Sequence, residues 1–83
     1  MTIKEFNGSI RSNCLGEFSD NEGDVCVIYI EYRDETRDLI AGTVCNTGLI
    51  PITSIIYDND YHVDTNIEIL WDKLEELGYI RIG

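Results

Sequence analysis

The sequence predicts an α+β domain: a three- to four-stranded antiparallel meander, one C-terminal helix packed on one of its faces, and a short last strand. Two observations carry that expectation. Three β-branched and aromatic runs between residues 25 and 57 are separated by breaks of hairpin length. They are followed by one segment, 66–77, whose apolar residues recur with a helical period. At 83 residues the chain holds one domain with a thin core.

Taken in order, residues 1–15 carry two competing signals. Thr2 and Glu5 suit the start of a short helix. Asn7-Gly8, between 3–6 and 9–12, is the strongest two-residue hairpin signal and the preferred reading. Residues 15–24, rich in acids and glycine, read as a loop. VCVIYIEYR, Val25–Arg33, is the clearest strand, too short and too rich in Val, Ile and Tyr for a helix. Asp34-Glu35-Thr36-Arg37 breaks it, and DLIAGTVC, Asp38–Cys45, follows as its partner. Asn46-Thr47-Gly48 fits a three-residue loop with glycine in the left-handed position. LIPITSIIY, 49–57, is the third strand. Pro51 has no N–H for a ladder, which puts this strand at an edge or a bulge in it.

With those turns, Cys26, Ile28, Ile30, Tyr32, Leu39, Ala41, Thr43, Leu49 and Ile55 share one face. Val27, Tyr29, Glu31, Ile40, Val44, Ile50, Ile52 and Ile56 share the other. Both faces are substantially apolar, and one helix covers only one of them. The second needs the N-terminal segment or a partner.

The helix spans 66–77. Thr65 followed by Glu68 is a capping-box signature, and Gly78 is placed as the residue past the C-cap. At about 100° per residue, Ile67, Leu70, Trp71, Leu74 and Leu77 form one stripe, the expected buried face, with Trp71 as a core anchor. Residues 79–82 alternate and read as the last strand.

The longest uncharged run, 39–57, is interrupted by Gly42, Gly48 and Pro51, so no membrane span is expected. No basic stretch followed by an apolar one opens the chain; no export signal is expected, and a cytoplasmic location is. Cys14, Cys26 and Cys45 are odd in number and lack C-x-x-C spacing, so reduced thiols are the default. If the 25–33 and 38–45 strands pair from Arg33 and Asp38, Cys26 falls opposite Cys45. Opposed Cβ atoms lie about 4.5–5.5 Å apart, long for the roughly 3.5–4.5 Å of a disulfide, so two buried thiols are expected. Zinc asks for about four ligands and His62 is the only imidazole. A cysteine nucleophile with His62 as base lacks a third orienting group. Neither an enzyme nor a cofactor or metal site is expected.

Charge is the main lead. Sixteen Asp and Glu stand against six Lys and Arg, a net −10. That field repels phosphate backbones and excludes nonspecific nucleic-acid binding. Glu17, Asp20, Glu22 and Asp24 form one acidic segment; Asp58, Asp60 and Asp64 precede the helix, and Glu68, Asp72, Glu75 and Glu76 lie on its outer side. Spacing of i, i+4 puts Asp64, Glu68, Asp72 and Glu76 in one row, with neighbours about 5–6 Å apart. Phosphates along a nucleic-acid strand are spaced by a similar order of distance.

Three readings compete. Solvated acids keep many small domains soluble. Asp58, Asp60 and Asp64 have calcium-loop spacing, but Val63 stands where the loop needs glycine, Ile69 where it needs glutamate, and His62 at the fifth position, so that motif fails. The third reading is nucleic-acid mimicry, with carboxylates filling the basic groove of a nucleic-acid-binding protein, and Tyr57, Tyr61 and Ile69 as short-range anchors. In size, acidity and lack of a catalytic motif the chain is similar to the small inhibitors that phages make against restriction, repair or CRISPR nucleases. That resemblance is of composition and transfers no residue roles; it implies inhibition without naming the enzyme. The expectation is therefore an acidic inhibitor, monomer or homodimer, whose partner is a basic protein such as a nuclease, bound through Asp58, Asp60, Tyr61, Asp64, Glu68, Ile69, Asp72, Glu75 and Glu76. The alternative is a structural or adaptor module that oligomerises or binds a protein through its second apolar sheet face.

Overall fold

β1 (Cys14–Ser19), β2 (Val25–Arg33), β3 (Asp38–Cys45), β4 (Gly48–Ile56), α1 (Val63–Glu76) and β5 (Ile80–Arg81) follow one another in a computed structural model that describes residues 14–82. The hairpin expected around Asn7-Gly8 lies outside the described residues. The strands form one antiparallel sheet in the order β4-β3-β2-β1-β5, with α1 on one face, an α+β fold of the predicted class. The chain leaves β4 at one edge, crosses the sheet as α1 and returns as β5 at the other edge. There Phe18 pairs with Arg81 and Ser19 with Ile80.

β2 and β3 have the predicted bounds, and their ladder starts at Arg33 and Asp38 as expected. β1 corrects the sequence reading, which made 15–24 a loop. Leu15 and Phe18 both enter the core although they are three residues apart. In a regular strand odd spacing sends side chains to opposite faces. Here Cys14 pairs with Tyr29 but Gly16 with Ile28, so Leu15 is the extra residue of a bulge. Gly16 takes φ 144, where a side chain is disfavoured. The bulge restores both apolar residues to one face and erases the alternation that marks a strand.

A second bulge lies between β3 and β4. Ala41 pairs with Thr53 and Gly42 with Pro51, leaving Ile52 extra, so Pro51 sits both on an edge strand and in a bulge. The turn before it is corrected from three residues to two, because Gly48 pairs with Cys45. These shifts move three residues across the sheet: Ile50, opposite Thr43, turns from the expected outer face to the helix side, and two others move with it. Ile52 packs against the core instead of lying on the outer face, and Leu49, opposite Val44, lies outside.

The β2–β3 ladder stops at Tyr29 and Gly42, short of the cysteines. Bulges bend and coil a ribbon, and Gly42 is where β3 faces one. An open cleft of about 410 Å³ separates the strand ends, lined by Cys26, Val27, Tyr29, Thr43 and Val44. Cys26 and Cys45 are free and half-buried rather than buried.

The core lies between α1 and the sheet: Leu15, Phe18, Ile28, Ile30, Tyr32, Leu39, Ala41, Tyr57, Val63, Leu70 and Leu74. Tyr57, expected as an exposed anchor, is buried, its ring edge-on to Tyr32 at 5.5 Å. Such an aromatic pair adds about 0.5–1.5 kcal/mol beyond area burial. Trp71 packs against the core while Arg81 stacks on its ring at 4.3 Å. On the outer face Ile40 is buried, and Val25, Val27 and Ile56 are exposed.

Candidate protein-binding surface

α1 carries the acidic row, and its two ends are held by contacts that the local sequence does not announce. The helix begins at Val63, with His62 as N-cap, rather than at 66 behind a Thr65 cap. The cause is Asn66, which is fully buried. Its Oδ1 accepts from the Asp58 N–H at 2.9 Å, and its Nδ2 donates to the carbonyls of Asp58 and His62 at 3.0 and 3.1 Å. That clamp turns 58–62 back on the helix and fixes its first turn. The buried stripe is accordingly Val63, Asn66, Leu70 and Leu74; Ile67 and Trp71 are half-buried and Leu77 is exposed. This corrects the stripe expected from Ile67 to Leu77.

The C-terminal end closes as the sequence predicts. Gly78 takes φ 97, its N–H donates to Glu75 and the N–H of Tyr79 to Leu74, the paired bonds of a Schellman motif. Asn21 Nδ2 donates to the Leu77 carbonyl at 3.0 Å, which pins the β1–β2 turn to this end. Glu22 and Asp24, exposed in that turn, thereby join the C-terminal end of the acidic row.

Asp64, Glu68, Asp72, Glu75 and Glu76 are all exposed. At about 100° per residue they occupy an arc of about 120°, with Ile69 at its margin. Ile69 and Tyr61 are exposed by 38% and 52%, so both expected anchors reach solvent. From Asp64 to Glu76 the row runs about 18 Å. Among the described residues these acids have no Lys or Arg ion-pair partner.

Three expected members do other work. Asp20 is half-buried, and its Oδ1 accepts from the N–H groups of Glu22 and Asp24, both at 2.9 Å, shaping the turn. Asp58 is exposed but its Oδ1 accepts from the Asp60 N–H, so it organises the turn before α1 and carries Asp60 at the row's N-terminal end. Glu17 pairs with Val27 and points to the outer face, away from the helix. Asn66 was the residue that sequence reading missed. Its only local signal was a polar residue on the apolar side of the helical wheel.

Electrostatically the row is a liability. Like charges at i, i+4 each cost a few tenths of a kcal/mol. Asp64 meets the favourable end of the helix dipole, but Asp72, Glu75 and Glu76 meet the unfavourable one, with Lys73 the only base in the last turn. Sodium chloride at about 1 M shortens the screening length to about 3 Å and should raise the thermal unfolding midpoint. A midpoint that falls with salt would show that the row is not a net repulsion.

His62 is committed to capping: its Nδ1 accepts the Asp64 N–H at 3.3 Å. No group of three or more metal-ligating side chains is assembled among the described residues, and none of their helices is long and apolar enough to cross a membrane. The geometry defines a rigid, anionic helix face with two apolar points. The chain matches no protein-family model, no curated protein and no solved structure.

Proposed function

We propose that this protein is a small acidic inhibitor that occupies the basic groove of a nucleic-acid-binding enzyme, a nuclease being the leading class. The observation that carries the reading is the carboxylate row on α1, without a Lys or Arg ion-pair partner among the described residues and kept although its C-terminal half opposes the helix dipole. Residues that violate a local rule without a structural gain are where functional demand is expected. Long-range charge steers the encounter, while Ile69 and Tyr61 supply desolvated contact.

Capture from host lysate at low and high salt, read by mass spectrometry, supplies the partner. A salt-sensitive nucleic-acid-handling protein that excess duplex DNA displaces is the expected outcome. The combined substitutions Glu68→Lys, Asp72→Lys and Glu76→Lys each shift the charge by two units, taking −10 to −4. All three residues are exposed, so the fold should stand while capture falls by at least tenfold. Equal capture with unchanged salt dependence would remove the row from the contact surface.

Exposed apolar residues on the outer face favour a second reading, an adaptor or oligomeric module. Register places Ile80, Ser19 and Val25 in one row there, and Ile80 and Val25 are 64% and 61% exposed. Sedimentation separates the two: a tight dimer that Val25→Glu dissolves supports the module, and a monomer supports the inhibitor.

A further inference from the structure

We propose that Cys26 and Cys45 are a thiol pair that forms a reversible disulfide across the open end of the β2–β3 hairpin. The ladder runs in constant register from Arg33 and Asp38 to Tyr29 and Gly42. Continued by three rungs, the same register brings Cys26 opposite Cys45. Both are free, half-buried and on the helix-side face by strand alternation. The cleft of about 410 Å³ lies between the two strand ends. Among the described residues each end is paired only on its far side: 25–28 with β1, and 43–45 with β4. Backbone pairing between the facing edges is thus left for a closed form to make. Directly opposed Cβ atoms sit about 4.5–5.5 Å apart and a disulfide asks for about 3.5–4.5 Å, so the bond draws the strand ends together.

The surroundings assign the order of events. Cys45 Sγ lies 3.1 Å from Thr47 Oγ1, and that hydrogen bond lowers the Cys45 pKa. Burial, then the charge of Asp20, raises that of Cys26. Cys45 is the attacking thiolate. With a low-molecular-weight disulfide as oxidant, it displaces one thiolate and becomes a mixed disulfide. Cys26 then loses its proton to solvent and attacks Cys45 Sγ, expelling the second thiolate, which is protonated. Two protein thiols are oxidised by two electrons, and the small disulfide is reduced to two thiols. Cys14, exposed on β1 and paired with Tyr29, lies across β2 from the cleft.

The test uses the full chain and oxidised glutathione. Three free thiols should become one, with a product two hydrogens lighter and no glutathione retained. Tryptic cleavage after Arg33 and Arg37 should leave the Cys26 and Cys45 peptides joined, and dithiothreitol should separate them. Amide exchange at 43–45 should slow in the oxidised form. Cys14→Ser should give the same link, and Cys45→Ser should lose it. Stable glutathione adducts on Cys26 or Cys45, a bond that includes Cys14, or three persisting thiols would each overturn the proposal.

Discussion

Replacing Asn66 by alanine should lower stability by about 3 kcal/mol in chemical denaturation. For a chain of 83 residues, whose whole stability is on the order of 4–12 kcal/mol, that is a large fraction. The amide makes three hydrogen bonds and is inaccessible to water. Alanine leaves the Asp58 N–H without its acceptor, at about 1–3 kcal/mol. It also takes one bond each, at about 0.5–1.5 kcal/mol, from the carbonyls of Asp58 and His62. Those carbonyls still accept from the N–H of Tyr61 and from those of Thr65 and residue 66, respectively. Partial solvation through the exposed turn keeps the total near the lower end. Asn66→Asp keeps an acceptor for the Asp58 N–H but loses both amide bonds to carbonyls and places a charge in the core, so it should be no milder at neutral pH. A loss below about 1 kcal/mol for Asn66→Ala would show that the clamp is not what holds the start of α1. The consequence reaches the candidate surface, since the same clamp sets the direction from which Asp60, Tyr61 and Asp64 project.

Gly42→Ala should cost about 2–3 kcal/mol, although it adds a single methyl group to a strand. A Cβ at this position would run into the Ile50 carbonyl oxygen, and it would stand 2.9 Å from the Ile50 carbonyl carbon and 3.1 Å from Pro51 Cα. All three are backbone atoms of β4, held by the ladder around the bulge, so no side-chain rotation relieves the clash. The strand itself must shift. Ser54→Ala, at an exposed position on the same strand, is the control and should leave the denaturation midpoint almost unchanged. A tolerated Gly42→Ala would mean that the bulge can slide, and that the peeled β3–β4 end is soft enough to rezip with β2 without help from a disulfide.

Much of the architecture was legible because its signals are local. The bounds of β2 and β3 follow from β-branched runs cut by a polar tetrapeptide, and the glycine past α1 from its position after the last apolar residue. β1 was illegible for the converse reason: its bulge sets Leu15 and Phe18 at odd spacing, so the strand carries no period-two pattern. Tyr57 read as a surface residue because a polar run follows it, while its burial depends on Tyr32, far back in the chain. For the candidate surface, the helical row was visible in the i, i+4 spacing. That Glu17 faces the other side, that Asp20 and Asp58 shape turns, and that Glu22 and Asp24 adjoin the end of α1 were not visible.

By itself the sequence determined the kind of each element from β2 to α1 and which helix face carries negative charge, since a repeat of 2 or 3.6 residues is written in neighbouring positions. Strand order, the two bulges, the start of α1 and the docking of Asn21 on Leu77 were decided only in three dimensions. Each of these rests on atoms brought together from distant parts of the chain, 56 positions apart in the last case, and no local pattern encodes such a meeting.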